Sequence, residues 1–123
     1  AGIDDVSTEM DDAKSVAAQV NSKDFVIFLA HNPSVISSSL LLTDRNGRGN
    51  WFDLGLFGHT HGGQIPFLEE AFNFNGVPSR YESGLLLENR SWLLISRGVG
   101  TTGLPARLFC QPEIHLITVQ SGT

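Results

Sequence analysis

Phe25-Val26-Ile27-Phe28-Leu29-Ala30 is an unbroken apolar run that stops at His31-Asn32-Pro33. A run this short, rich in β-branched and aromatic residues, reads as a strand covered on both faces. Pro33 then forces an extended or turn conformation. Phe52-Asp53-Leu54-Gly55-Leu56-Phe57 repeats the pattern and runs directly into Gly58-His59-Thr60-His61-Gly62-Gly63. In open α/β sheets, sites collect just beyond the carboxyl ends of strands, and both of these strands end at histidines.

The remaining periodicities fill in an architecture around those strands. Ala13, Val16, Ala17 and Val20 make a helical stripe within Thr8–Val20, with Asp11 and Asp12 in its early turn. Ser34 is placed to cap a short helix ending about Leu42, and Thr43 to Asn50 reads as an exposed loop. Beyond Gln64 the pattern becomes β, with strands expected at Gly84–Glu88, Ser91–Ser96 and Glu113–Val119. Asn89-Arg90 forms a hairpin turn between the first two, and Arg97–Gly103 is a Gly-rich loop. The sequence therefore predicts an α/β layered fold with a mixed sheet and a β-rich second half.

Length and charge narrow the possibilities. With 123 residues, 41% of them hydrophobic, the chain can fill one core, so residues 1–123 read as a single domain. A net charge of -5 with scattered Lys and Arg argues against nucleic acid and against an anionic membrane surface. Cys110 is the only cysteine, which excludes an intrachain disulfide and a cysteine-based zinc site. The acidic Ala1-Gly2-Ile3-Asp4-Asp5 does not read as a signal segment, and no apolar run approaches the ~20 residues of a membrane span.

His31, His59 and His61 are the candidate metal ligands. In an extended segment residues i and i+2 project to the same side, so His59 and His61 would aim at a common site, with Gly58, Gly62 and Gly63 permitting unusual dihedrals. A satisfied polar side chain is the competing reading for His31, and backbone phosphate binding by Gly62 and Gly63 the competing reading for the loop. His115 reads as structural, Cys110 as a buried thiol, and Arg97 and Arg107 as solvated or ion-paired rather than phosphate-binding. Asp4 and Asp5 read as a helix start. Asp53 begins the strand whose far end carries the histidines, too far away to act as a base.

Gly58-His59-Thr60-His61-Gly62-Gly63-Gln64, preceded by Leu29-Ala30-His31-Asn32-Pro33, resembles the closing blocks of the calcineurin-like metallophosphoesterase superfamily. Gly2-Ile3-Asp4-Asp5, Ile95 to Pro105 and Phe109 to Ile114 are similar to its bacterial branch of membrane-associated or exported phosphohydrolases. The resemblance implies hydrolysis of a small phosphomonoester or phosphodiester at two divalent ions. His31 and His59 would ligate the second metal and His61 the first. Imidazole ligands suit zinc, manganese, iron or nickel.

The family's earlier blocks, Asp-x-His, Gly-Asp-x-x-Asp and Gly-Asn-His, have no counterpart here, and Gly49-Asn50-Trp51 is no substitute. The resemblance thus implies a C-terminal portion, inactive alone, whose bridging aspartate and general acid belong to an absent N-terminal half. It implies a two-sheet sandwich left with an open edge or apolar face, and a homodimer formed through it. The alternatives are a non-catalytic metal-binding or protein-interaction module, and a complete small hydrolase with one zinc.

Overall fold

The computed structural model describes residues 1–4 and 12–122. Their elements run α1 (Ala13–Ala17), β1 (Ile27–Leu29), α2 (Ile36–Ser39), β2 (Leu54–Phe57), α3 (Pro66–Phe72), β3 (Gly84–Glu88) and β4 (Ser91–Ile95), with short 3-10 turns between them. The four strands form one mixed sheet in the order β1-β2-β4-β3. β1, β2 and β4 are parallel, and β3 lies antiparallel to β4. The α/β class and the mixed sheet read from the sequence are those of the molecule.

The register sorts the side chains cleanly. On one face lie Phe28, Gly55, Phe57, Leu93 and Ile95, all in the buried core except for the side-chain-free Gly55. Phe28 packs against the rings of Trp51, Phe52 and Phe57, with centroids at 4.8, 5.2 and 5.9 Å. Gly55 makes this possible, because a Cβ there would lie 2.6 Å from the Phe57 ring. Two polar side chains in this layer are paired, Trp51 Nε1 donating to the Ser39 carbonyl at 2.8 Å and Ser91 Oγ to the Phe52 carbonyl at 2.6 Å, while the buried Ser39 Oγ has no partner among the described residues. Asp53 accepts the Val26 N–H at 2.7 Å, so its carboxylate fastens the entry of β1.

The opposite face carries two cross-strand rows, Ile27-Leu54-Trp92-Leu87 and Leu29-Leu56-Leu94-Leu85. Every member is apolar, yet Leu29, Leu85, Leu87 and Trp92 are each about half exposed, at 50, 58, 56 and 48%. The expectation that β1 is covered on both faces is therefore corrected: Phe28 is buried and Leu29 is open. Among the described residues no helix or second sheet closes this side. Ile114 and Ile117 reach only a shallow cavity beside Leu56 and Leu94.

Several boundaries differ from the sequence reading. α1 begins at Ala13, capped by Asp12, whose carboxylate accepts the Ser15 N–H. Asp4 is thus not its cap, while Asp5 and the Thr8–Asp11 part of the expected helix lie outside the described residues. Before α2 the cap is Asn32, which accepts the Ser34 N–H at 2.9 Å, so Ser34 is the capped residue. α3 occupies a stretch expected to be β. Pro66 at its start and left-handed Asn73 (φ 49°) at its end are ordinary helix punctuation.

The expected strand at Glu113–Val119 does not form. Its alternation is genuine, but no strand in the described sheet is adjacent to pair with it, and Ile114 and Leu116 stand in solvent. The hairpin is as expected, with Asn89 and Arg90 both at positive φ (47° and 70°), as a two-residue primed turn requires. No described helix is long and apolar enough to cross a membrane.

The two faces predict opposite sensitivities. Leu93→Ala in the buried layer should cost about 2–5 kcal/mol, whereas Leu85→Ala on the open face should cost less than about 1 kcal/mol. Urea unfolding followed by tryptophan fluorescence measures both, and equal losses would contradict the assignment of faces.

Candidate functional site

The ladder between β1 and β2 continues one step past the strands. The Ala30 N–H donates to the Leu56 carbonyl at 3.2 Å and the Gly58 N–H to the His31 carbonyl at 2.9 Å. This brings the two histidine-bearing turns side by side. The rings of His31 and His59 meet edge to face, with centroids 5.3 Å apart and planes at 82°. The two strand-end histidines marked by the sequence are thus neighbours in space.

His61 is placed differently, because the segment is not extended. His59, His61, Gly62, Gly63 and Gln64 all have positive φ (67, 52, 61, 73 and 55°), while Thr60 is right-handed. The i, i+2 rule for extended backbone therefore fails here. His61 turns toward the loop following β4, where its Nδ1 lies 3.2 Å from the Gly100 carbonyl. A carbonyl only accepts, so this contact requires a proton on Nδ1 and leaves Nε2 as the nitrogen that could meet a metal.

Three non-glycine residues in left-handed backbone cost on the order of 1–3 kcal/mol each, and surrounding contacts must offset that. Thr60 Oγ1 donates to the Glu82 carbonyl at 2.6 Å and accepts the Gly62 N–H at 3.2 Å. Cys110 Sγ donates toward the carbonyls of His61 and Gly62, both at 3.2 Å. Gln64 accepts the Thr102 N–H at 2.6 Å and donates to the Leu104 carbonyl at 2.8 Å. Gly62 is sterically obligatory, since a Cβ there would fall 2.5 Å from Arg97 Cγ and 2.6 Å from Cys110 Sγ.

Both arginines are committed to the scaffold, Arg97 through an ion pair and Arg107 through backbone carbonyls and not a carboxylate. Arg107 donates to the carbonyls of Arg97 (2.6 Å), Gly98 (3.3 Å), Gly100 (2.5 Å) and His61 (3.3 Å). Arg97 pairs with Glu113 at 2.7 Å, and this hydrogen bond, opposed by partial burial, holds the Glu113 carboxyl at about 2. His115 Nε2 lies 3.2 Å from the same carboxylate. Cys110 is buried, as expected of a free thiol. Its contact with the two site carbonyls has no local signature in the sequence.

A carboxylate pair beneath the loop escaped the sequence reading. Glu69 from α3 accepts the Asn75 N–H at 2.9 Å, and Glu82 receives the Asn75 side-chain amide at 3.5 Å. Burial, with the charge of Glu69 adding to it, pushes the Glu82 carboxyl up to about 7. The pair is assembled from a helix and a later turn, so no short motif announces it.

Among the described residues, no three His, Cys, Asp or Glu side chains gather closely enough to enclose a metal. What the chain presents is a pair of adjacent imidazoles, His31 and His59, with His61 nearby in the same cavity lining as His59 and in contact with the Gly100 carbonyl. Imidazole nitrogen suits a borderline divalent ion such as zinc, and two such ligands make up part of its usual set of four.

The Glu82 shift predicts a pH dependence. The native state retains a proton that the unfolded chain releases above the ordinary 4.5, so this group's stabilising contribution is complete below that pH and is lost as pH rises through about 7. Glu113 acts in the opposite sense, its contribution being lost as pH falls from 4.5 toward about 2. In urea titrations between about pH 5 and 8, Glu82→Gln should flatten the decline seen in the parent chain. An unchanged slope would remove Glu82 as its source.

No family model matches the chain, and no solved structure does. Among curated proteins it is 34% identical over 121 residues to the uncharacterized protein YpbG of Bacillus subtilis, covering 97% of this chain and 40% of that one. It is 28% identical over 127 aligned positions to an uncharacterized metallophosphoesterase of Aquifex aeolicus, covering 98% and 44%. With the phosphodiesterase YaeI of Escherichia coli it shares 37% identity over 97 residues, covering 74% and 31%. The chain spans less than half the length of the curated relatives it matches. Along almost all of its own length the chain is similar to part of proteins named metallophosphoesterase, and its α/β frame with a mixed sheet is the fold of those proteins.

Proposed function

We propose that the chain is the C-terminal part of a metal-dependent phosphohydrolase acting on phosphomonoesters or phosphodiesters, and that it supplies histidine ligands to a dinuclear centre. His31 and His59 hold one divalent ion and His61 contributes to the other. The bridging aspartate and the general acid come from elsewhere in the protein. The observation that carries this reading is the contact of the His31 and His59 rings at the ends of two adjacent parallel strands.

Bound ions would polarise the phosphoryl oxygens and activate water, chemistry that zinc, manganese, iron or nickel can each supply. The chain's own residues set the geometry for it. The Gly100 carbonyl fixes the His61 tautomer, as second-shell acceptors do for metal-binding histidines. Arg107, donating to that same carbonyl, holds the acceptor in place. Gly62 and Gly63 lack the Cβ atoms that would collide with Arg97, Cys110 and Glu82, so the loop can hold its left-handed path.

Zinc and manganese titrations of chelator-stripped protein test the ligand set. Weak uptake of about one ion or fewer per chain, lost in His59→Ala and reduced in His31→Ala, is expected for an incomplete centre. Two tightly held ions per chain would overturn the divided site, and uptake indifferent to these substitutions would overturn the histidine assignment.

The open sheet face supports a second expectation, that the isolated chain pairs with a second copy through Leu85, Leu87 and Trp92. Sedimentation should find a dimer that Leu87→Glu returns to monomer. A monomeric parent chain would refute this.

A further inference from the structure

Beside the histidines lies a cavity of about 640 Å³, within the ~300–1,000 Å³ range usual for small-molecule sites. His59 and His61 stand among its lining residues, and Ile65, Leu68, Phe74 and Leu104 give it an apolar wall. Phe74 and Leu104 are themselves 73 and 55% exposed, so an apolar group entering the cavity would cover them. The outer wall is held shut by Gln64, whose side chain binds Thr102 and Leu104 at once.

The charges lining this cavity restrict what can enter. No lysine or arginine faces it, and its one acidic side chain is Glu69. Apart from the ions proposed at His59 and His61, which the first phosphate would engage, a second phosphate or carboxylate would meet the Glu69 carboxylate and no cationic side chain. An apolar group would instead lose its hydration on entry and cover Phe74 and Leu104.

We propose that this cavity receives the organic arm of the substrate, and that the arm is apolar, an aryl or alkyl group on a single phosphoester rather than a nucleotide or polyphosphate. The inference rests on the phosphohydrolase reading, because His59 and His61 are what place a phosphate beside the cavity. It deepens that reading by naming a substrate class.

The test is calorimetric titration of the zinc-supplemented chain with inorganic phosphate, 1-naphthyl phosphate, hexyl phosphate, 1-naphthol and adenosine 5′-diphosphate. Naphthyl or hexyl phosphate should bind at least about tenfold more tightly than inorganic phosphate and than the diphosphate. The preference between naphthyl and hexyl separates an aryl from an alkyl arm. Leu68→Asp and Leu104→Asp should each remove that advantage; Leu104 is in an exposed loop, so its variant tests the cavity even if Leu68→Asp unfolds. His59→Ala should weaken naphthyl phosphate and leave naphthol unchanged.

If the apolar phosphates bind no better than inorganic phosphate, or no better than the diphosphate, the apolar-arm proposal falls and the phosphohydrolase reading survives. If naphthol equals naphthyl phosphate and His59→Ala changes neither, the phosphohydrolase reading falls and takes the proposal with it.

Discussion

Arg107 directs its guanidinium at the backbone carbonyls of His61, Arg97, Gly98, Gly100 and Cys110, and the placement of the His61 side of the site is tied to that side chain. It joins the turn after β2, the loop after β4 and the segment carrying Cys110, none of which is held to the others by a strand ladder. A planar fork of fixed donors suits this task, and the flexible, strongly hydrated ammonium of lysine does not. The Gly100 carbonyl receives both Arg107 and His61, so the orientation of an imidazole is tied to a residue far along the chain.

The left-handed backbone of the histidine loop is the counterpart of that constraint. Few residues accept positive φ without cost, and here the histidines themselves do so. Cys110 and Thr60 answer the carbonyls and amides that the coiled path turns inward. The strain resides at the residues proposed to bind metal, consistent with the tendency of strained backbone to cluster at functional sites.

Features set by short-range pattern were legible in the sequence. The apolar runs marked β1 and β2, the histidines at their ends followed from where those runs stop, and Asn89-Arg90 marked the hairpin. α3 was legible too, through Pro66 and Asn73, but the β reading of the second half obscured it. The path of His59 to Gln64 was not, because its dihedrals are imposed by partners 20 to 50 residues away. The same holds for Glu69 with Glu82. The alternation at Glu113–Val119 had the period of a strand without a neighbour to pair with, and a pattern describes a face, not the presence of something to cover it.

The crossover from β2 to β4 has a consequence for the order in which the molecule assembles. β3 and β4 are joined by a two-residue turn and close almost no loop, whereas both parallel pairings require long segments to be brought together first. The hairpin is therefore the natural starting template, with β2 docking on the free edge of β4 and β1 on the free edge of β2. Whichever parallel pairing closes first, His31 and His59 meet only when β1 docks on β2, so the imidazole pair comes with a long-range closure and not with the local hairpin.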